Sequence, residues 1–460
     1  MKKTALLLSL FLGGCSMLTP DYQRPDVSFA DTWREKAAVA VQPQSATGNL
    51  ADFWAHTQNA ELQRLIKQAL SQNLDLQAAV ARISQARGRE QAAGAPLLPS
   101  VEASGSASKN VPKSSNFFII PSQGQAALSI NYELDLFGKN RAAADAAGYK
   151  TQASVFDRDA LALTVSAEVA RAYVNLLALQ ERVEVAQRNQ NDEREILKVT
   201  EARFKNGAAS GLDVAQQQTD LANSEAAIAT LRQQRTVQMD ALAVLVGQAP
   251  QGFTVQGKNL KEVQAPAISP VQPSSLLERR PDIRSAEAGL QAANANIGAA
   301  RAAFFPSINL SAGPQMIAIP LSAPVETIFN LAGSLAAPLF SGGLLEGQLE
   351  LSKAQKEELI ADYRKTVLVS FKEVEDTLAA MQSADQRLKS LSGAVAQSNR
   401  AYRLARDQYK GGTIDFTTLL NTQRDVLLAQ DALVQARAAK LNAAIDLYRA
   451  LGGAWKETSF

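Results

Sequence analysis

The feature that most constrains this chain is the stretch 125–141, where a strand pattern runs directly into a helix pattern. Apolar and polar side chains alternate over about ten residues, with Ala126, Leu128, Ile130, Tyr132, Leu134 and Leu136 set against Ala127, Ser129, Asn131, Glu133 and Asp135. A period of two predicts a strand with one apolar and one polar face, and about ten residues is the length that a tilted strand needs to cross a bilayer. The stretch therefore predicts a membrane strand that continues, after Phe137 and Gly138, into a long helix.

A weaker strand pattern precedes this one and completes a hairpin over 100–136, with a loop at 109–122. Its apolar residues Val101, Ala103, Gly105 and Ala107 alternate with Glu102, Ser104, Ser106 and Ser108. Before the hairpin, apolar residues at helical spacing from 59 to 93 predict a helix that Pro96 and Pro99 end.

The same order of motifs returns about 205 residues later, which indicates an internal duplication. The corresponding pairs are Leu98-Pro99-Ser100 with Phe305-Pro306-Ser307, Leu136-Phe137 with Leu339-Phe340, Phe204-Lys205-Asn206-Gly207 with Tyr409-Lys410-Gly411-Gly412, and Val246-Gly247 with Leu451-Gly452. The first repeat is predicted over 59–247 and the second over 275–452, joined by a linker at 248–274. A second hairpin is expected over 307–340, with 313–326 as its proline-rich loop.

Long helices fill the rest of each repeat. All 17 prolines lie outside 122–249 and 339–460, so nothing interrupts a helix in those windows. Apolar residues recur there at spacings of three, four and seven, which is typical of coiled coils. The predicted helices are 139–206 and 212–247 in the first repeat, and 343–410 and 415–451 in the second. Glycines at 207–211 and 411–412 mark the turns at the helix tips.

The N-terminus reads as a secretory signal over residues 1–14, too short to span a membrane as a helix. The sequence Leu12-Gly13-Gly14-Cys15 resembles the lipobox of bacterial lipoproteins, so Cys15 is the predicted lipidation site. Ser16 after that cysteine resembles the sorting signal for the outer membrane. Residues 15–58 are then a lipid-anchored strap, and 453–460 form a C-terminal tail.

Composition excludes several classes of function. The net charge of +2 offers no basic excess for nucleic acid. One cysteine and one histidine, His56, do not supply a disulfide, a zinc site or a cysteine–histidine pair. Nucleophile elbows and phosphate loops are not found, so a lipoprotein hydrolase is disfavoured and the chain is expected not to be an enzyme. No metal or cofactor is expected beyond the covalent lipid on Cys15.

Four membrane strands per chain force an oligomer, because an open sheet edge is unstable in lipid. Two chains would give eight strands and three would give twelve. Side chains fill an eight-stranded barrel, whereas twelve strands leave a lumen. A polar face with the candidate lumen-facing acids Glu102, Glu133 and Asp135 favours the larger ring, although Asp135 also stands where it would cap the following helix.

Over nearly its whole length the chain resembles the TolC-like outer-membrane channels, specifically their OprM-type lipoprotein branch. The resemblance rests on four motifs: Leu134-Asp135-Leu136-Phe137-Gly138-Lys139-Asn140-Arg141, Glu278-Arg279-Arg280-Pro281-Asp282-Ile283, Pro338-Leu339-Phe340-Ser341-Gly342-Gly343 and Leu451-Gly452-Gly453-Ala454-Trp455. It implies a homotrimer that combines a twelve-stranded membrane β-barrel with an α-helical tunnel through the periplasm of a Gram-negative bacterium. It also implies two partners, a periplasmic adaptor and an inner-membrane pump, and a passive gated duct for small molecules.

The resemblance also implies a gate near the second helix tip, at residues 416–425. Where the family carries inward-facing acidic rings, this sequence has Thr418 and Asn421, so a neutral constriction is expected. Arg424 matches the branch, and we expect it to hold the closed state through Asp425 or Asp213, although solvated surface charges explain the pattern equally well. The adaptor is expected to dock at the tip glycines Gly207, Gly411 and Gly412, which the turns need in any case.

The alternative considered for the whole chain is a soluble periplasmic coiled-coil adaptor anchored through Cys15. Such a protein would place polar residues on the outward faces of its strands. The apolar alternation from Leu128 to Leu136 disfavours it.

Overall fold

The computed structural model describes residues 18–34, 54, 57–109, 122–264 and 272–453. These residues form two compact units, each assembled from separate chain segments. Unit 1 takes residues up to 27, 81–156 and 284–365, and unit 2 takes 28–80, 157–283 and residues from 366 onward. Each unit therefore draws on both sequence repeats. The predicted Cys15 and His56 lie outside the described residues.

Unit 1 contains one antiparallel sheet in the order β1-β2-β3-β4. The strands are β1 (Ser100–Ser108), β2 (Gln123–Leu134), β3 (Ser307–Ala318) and β4 (Glu326–Ala336). The two hairpins are joined through β2 and β3, with Asn131 opposite Ser311 and Leu134 opposite Ile308. Among the described residues, β1 and β4 are each paired on one side only.

The structure corrects the second hairpin. The loop predicted over 313–326 is wrong, because β3 continues through Pro314 to Ala318 and the connection is only 319–325. Pro314 has no N–H to donate, yet it is tolerated because the β2–β3 register is interrupted between the pairs Ala127–Gln315 and Ile130–Ala312. At this irregularity the backbones approach closely, since a Cβ on Gly313 would overlap the carbonyl oxygen of Leu128.

The helices are mostly long. They are α1 (Ala60–Gln72), α2 (Leu74–Gly94), α3 (Lys139–Lys205), α4 (Gly211–Leu245), the short α5 (Leu276–Arg279), α6 (Pro281–Ala302), α7 (Leu344–Lys410) and α8 (Phe416–Ala450). Within the described ranges, three single 3₁₀ turns lie at Ala95–Leu97, Leu260–Glu262 and Pro273–Ser275. The two long helices contain 67 residues each and the two shorter tip helices contain 35 each.

The first helical pattern, expected to be continuous, is divided at Asn73. The backbone of Asn73 is extended, and the side-chain oxygen of Asn73 accepts hydrogen bonds from the N–H groups of Asp75 and Leu76. Its amide nitrogen donates to the carbonyl of Leu245 at the end of α4. A buried asparagine thus satisfies the start of α2 and the end of α4 at once.

Unit 2 holds the main apolar core, in which α1, α3, α4, α7 and α8 contribute fully buried side chains, among them Leu65, Tyr173, Leu176 and Leu447; Trp54, before α1, is buried in the same core. A second cluster lies close to the helix tips and includes Ile196, Tyr402, Tyr409, Phe416 and Leu419. Of the described helices, α3 alone is long and apolar enough to cross a membrane, and 61% of its most apolar window is buried within the chain. Burial of that kind is what the core helix of a bundle shows.

Residues 18–27 of unit 1 have no helix or strand and lie along α6. Arg24 forms two hydrogen bonds of 2.8 Å with the carboxylate of Glu287. Asn294 donates to the carbonyl of Pro20 and Arg301 to that of Leu18. The contacts recur at about every second turn of α6, so this segment follows the helix over most of its length.

Candidate functional site: the helix tips and the strand-to-helix junction

The two helix tips contact each other in unit 2. Each tip turn ends on a glycine in the left-handed region, Gly207 with φ 73° and Gly412 with φ 75°. Arg203, at the end of α3, donates to the carbonyl of Tyr409 and stacks over its ring, with its guanidinium carbon 4.6 Å from the ring centroid. The predicted docking glycines are therefore brought together, and Gly411 lies beside them in the second turn.

The gate candidates lie in the first turns of α8. Thr418, Asn421, Arg424 and Asp425 are all exposed in the single chain, and their spacing puts them on adjacent faces of the helix. The N–H of Thr418 donates to the Asp415 carboxylate at 2.7 Å, so Asp415 is the N-cap, and this bond lowers the pKa of that carboxylate. The side chain of Thr418 also hydrogen-bonds the Asp415 carboxylate, and the side chain of Asn421 is exposed to solvent.

The partner of Arg424 differs from the expectation. Its guanidinium pairs with Asp220 of α4 at 2.6 Å, and not with Asp425 or Asp213. Asp213 is already engaged in a capping box, in which Ser210 and Asp213 each bind the other's backbone N–H. The Arg424–Asp220 pair therefore joins α8 of the second repeat to α4 of the first.

A buried polar cluster surrounds Asp220, and the sequence analysis missed it. Glu193, Gln217, Ser224 and Gln423 are each less than 10% exposed, and Tyr402 lies beside them with a pKa raised by burial to about 12. Burial is also the main reason that the pKa of Glu193 is raised to about 7. In the sequence, the only sign of this cluster is that polar residues occupy coiled-coil seam positions. That sign does not locate the cluster, because sequence spacing does not reveal which helices face one another.

The strand-to-helix junction assigns separate tasks to the candidate acids. The Asp135 carboxylate accepts the N–H groups of Asn140 at 3.1 Å and Arg141 at 2.7 Å, so it caps α3. Glu133 pairs with Lys139 at 2.7 Å. Glu102 is exposed on β1. Phe137 stacks on Phe305 with centroids 4.8 Å apart, which fixes the end of β2 against the start of β3.

A third polar centre lies at the start of α6, in the motif that opens the second repeat. Arg280 is 7% exposed and binds Asp282 through two bonds of 2.7 and 3.0 Å. It also reaches Glu373 of α7 at 2.7 Å and the Ala450 carbonyl at 3.0 Å, at the end of α8. One side chain thus joins the beginning of one helix, the middle of a second and the end of a third. Among the described residues no group of acidic, histidine or cysteine side chains has metal-binding geometry.

The comparisons with known proteins agree with this architecture. The family described as outer membrane efflux protein matches residues 65–248 and 272–453, which together are most of the chain and follow the two repeats. The chain belongs to the outer membrane efflux protein family. It is the outer-membrane channel of an efflux system. The family is one of transport proteins. Membership in it excludes the alternative considered above, a soluble coiled-coil adaptor.

Individual relatives cover the whole length. The chain is 34% identical to the pyoverdine export outer membrane protein OpmQ of Pseudomonas aeruginosa, over 99% of this chain and 98% of the relative. It is 33% identical to the toluene efflux pump outer membrane protein TtgC of Pseudomonas putida, over 99% and 97%. Among solved structures, the open state of the MtrE outer membrane channel of Neisseria gonorrhoeae superposes with a TM-score of 0.84 at 30% identity, over 95% and 98% of the two chains.

Proposed function

We propose that three copies of this chain close into one twelve-stranded barrel continuous with a helical tunnel, and that this trimer is a passive, gated duct for small molecules. The observation that carries the proposal is the four-stranded sheet whose two edge strands, β1 and β4, have no partner on their outer sides among the described residues. In a membrane these N–H and C=O groups need partners, and further copies of the same sheet supply them.

The duplication predicts how the edges pair. Leu339-Phe340 follows Leu136-Phe137 by 203 positions, so β4 corresponds to β2. Phe305-Pro306 follows Leu98-Pro99 by 207 positions, so β1 corresponds to β3. The contact between β2 and β3 within the chain is then the template for β4 against β1 of the next copy. Its pair Asn131–Ser311 maps onto Ser334 of one copy and Ser104 of the next.

Exposed apolar residues support this pairing. Phe137 is covered by Phe305 within the chain, whereas its counterpart Phe340 is 92% exposed and the counterpart of Phe305, Leu98, is 69% exposed. Under the same mapping Phe340 packs on Leu98 of the neighbouring copy. The contact would bury two large side chains that the single chain leaves in solvent.

A cysteine pair tests the closure. The double variant Ser104→Cys, Ser334→Cys is expected to form disulfides between copies under mild oxidation, giving dimers and covalent trimers on denaturing gels, because opposed Cβ atoms in a sheet lie within disulfide range. Cys15 is kept, since its thiol is expected to carry lipid.

The matched control is Ser108→Cys with Ser334→Cys, which shifts one cysteine by four residues along the same face, about 13 Å. It is expected to remain monomeric on the same gels. Equal cross-linking of both pairs, or of neither pair in outer-membrane fractions, would contradict the proposed ring.

Energy and selection are supplied elsewhere. As in an efflux system, a periplasmic adaptor and an inner-membrane pump are proposed to couple to this channel and to drive transport through the duct. The adaptor is proposed to bind at the tips, where Phe204 is 51% and Leu212 65% exposed beside Gly207. The named relatives export pyoverdine and toluene, and we propose small organic molecules as the cargo of this chain.

The lipid anchor is the remaining part of the proposal. Cys15→Ala is expected to abolish incorporation of radiolabelled palmitate and leave a longer, unprocessed chain, because the lipobox cysteine is both the acyl acceptor and the residue at the cleavage site. Growth with labelled fatty acid followed by immunoprecipitation measures this. Label that persists in the variant would place the lipid on another residue and overturn Cys15 as the acyl acceptor.

A further inference from the structure

The Arg424–Asp220 ion pair has a second acid beside it. Glu193 of α3 faces α4 at Asp220, because Gln217 donates to the Glu193 carbonyl at 3.2 Å and Ser224 hydrogen-bonds its carboxylate. Gln217 and Ser224 lie three residues before and four residues after Asp220, so they share one helix face with it. Glu193 thus packs where the Asp220 side chain projects.

Both acids have a buried oxygen that no described group satisfies. Asp220 binds Arg424 through Oδ1, while its Oδ2 is buried without a hydrogen-bond partner. Glu193 is 7% exposed, and its Oε2 is likewise buried and unpartnered. Two ionised carboxylates cannot satisfy each other, but one proton between them satisfies both.

Among the described residues, the charged groups around Glu193 and Asp220 do not supply a free cation that would neutralise both carboxylates. Arg424 is already engaged by Asp220, and Arg194, next to Glu193, reaches out to Glu225 at 3.3 Å. From α7, Tyr402 is a neutral phenol, and the charge of Arg406 lowers the pKa of Asp192 and of Tyr402. Burial disfavours ionisation of Glu193 most, and Asp220 and Asp192 add to it; the hydrogen bond from Ser224 and the charge of Arg194 favour ionisation and offset this only in part, so the pKa of Glu193 remains raised.

We propose that Glu193 and Asp220 form a buried binding site for one proton, and that its occupancy couples the Asp220–Arg424 pair, and with it the closed tip, to periplasmic pH. This inference rests on the proposed gate. When the site is occupied, the Glu193 hydroxyl donates to Asp220 Oδ2 and orients Oδ1 toward Arg424. When the proton leaves to bulk water, two like charges remain between α3 and α4 and repel.

The direction of the pH effect follows from linkage. Because the pKa of Glu193 rises from 4.5 to about 7 on folding, the folded tip binds more protons than the unfolded chain between these values. Its stabilisation is complete at acid pH and is lost as the pH rises through about 7. Because the proposal ties the closed tip to the protonated site, the closed state is expected to be favoured below that pH and weakened above it.

The experiment uses the full-length protein in planar bilayers across the range around pH 7. The open probability of the wild-type channel is expected to rise about tenfold over two pH units. A tenfold change corresponds to a difference of about one unit between the pKa values of the site in the closed and open states. Glu193→Gln keeps a hydrogen-bond donor but does not titrate, so its open probability is expected to remain at the low-pH value of the wild type across the whole range. The control is Glu195→Gln, an exposed acid of the same helix whose ion-pair partner among the described residues is Lys198, and this variant should behave as wild type.

Infrared difference spectroscopy gives a readout that does not depend on conduction. Between acid and neutral pH, wild type is expected to lose a protonated carboxylic C=O band that Glu193→Gln lacks and Glu195→Gln retains. A band that survives in Glu193→Gln, or an identical pH profile in that variant, would overturn the proton site. Absence of any conductance at any pH, with the band intact, would instead count against the channel function.

Discussion

Arg280→Ala is expected to destabilise the folded chain by about 3 kcal/mol, the lower end for breaking a buried ion pair, because Asp282 and Glu373 retain some contact with water. The substitution removes a buried guanidinium that binds two carboxylates and the Ala450 carbonyl. Among the described residues, the arginine that remains beside the Glu373 carboxylate is Arg449, at 3.8 Å. Thermal unfolding in detergent, followed by circular dichroism, measures the loss.

Two variants separate the role of geometry from that of charge. Arg280→Lys keeps the charge but cannot form the forked contact with Asp282, so it is expected to recover only part of the stability. Arg279→Ala removes the neighbouring arginine, for which the described residues show no ion pair, and is expected to change little. Equal effects at positions 279 and 280 would show that the buried network does not stabilise the fold.

Arg424→Ala is expected to raise the fraction of open channels about tenfold to a hundredfold. A partly exposed ion pair contributes about 0.5–1 kcal/mol, and three copies acting together in the proposed trimer would contribute about 1.5–3 kcal/mol to the closed state. Asp220→Asn is expected to produce the same change, because it removes the other half of the pair. Single-channel conductance in planar bilayers distinguishes a change in open probability from a change in pore size.

Arg188→Ala is the matched control, since it breaks an exposed pair with Glu184 within α3 alone. It is expected to leave gating unchanged. An Arg424→Ala channel that closes as often as wild type would remove this residue from the gate. If Asp220→Asn opened the channel and Arg424→Ala did not, the acid would act through a different partner.

Periodic features were the predictable part of this fold. The helix beginning at Lys139 and the strand before it follow from spacing alone, as does Asp135 at the position of a cap. The extent of β3 was not predictable, because a proline such as Pro314 usually indicates a loop. A proline fits in a strand only where the neighbouring strand needs no hydrogen bond from that position, as at the interrupted β2–β3 register. That condition depends on the register between two hairpins more than a hundred residues apart.

The candidate site was predictable only in outline. Spacing places Arg424 near a helix tip, but its partner depends on how α8 is rotated against α4, and this is a tertiary property. Glu193 is harder to recognise, since an acid in a charged helix reads as solvated until burial is known. The family resemblance concerns the gate stretch on α8 and implies no role for the acid on α3.

The matched lengths of the helices, 67 with 67 and 35 with 35, constrain how such a gene can change. Inserting one heptad into α3 alone would displace its tip by about 10 Å from that of α7 and separate Arg203 from Tyr409. Viable length variants must therefore alter all four helices together, by whole heptads. Insertions and deletions in natural variants are expected to accumulate in the connection 319–325 and in the linker between the repeats, and to avoid the helical windows.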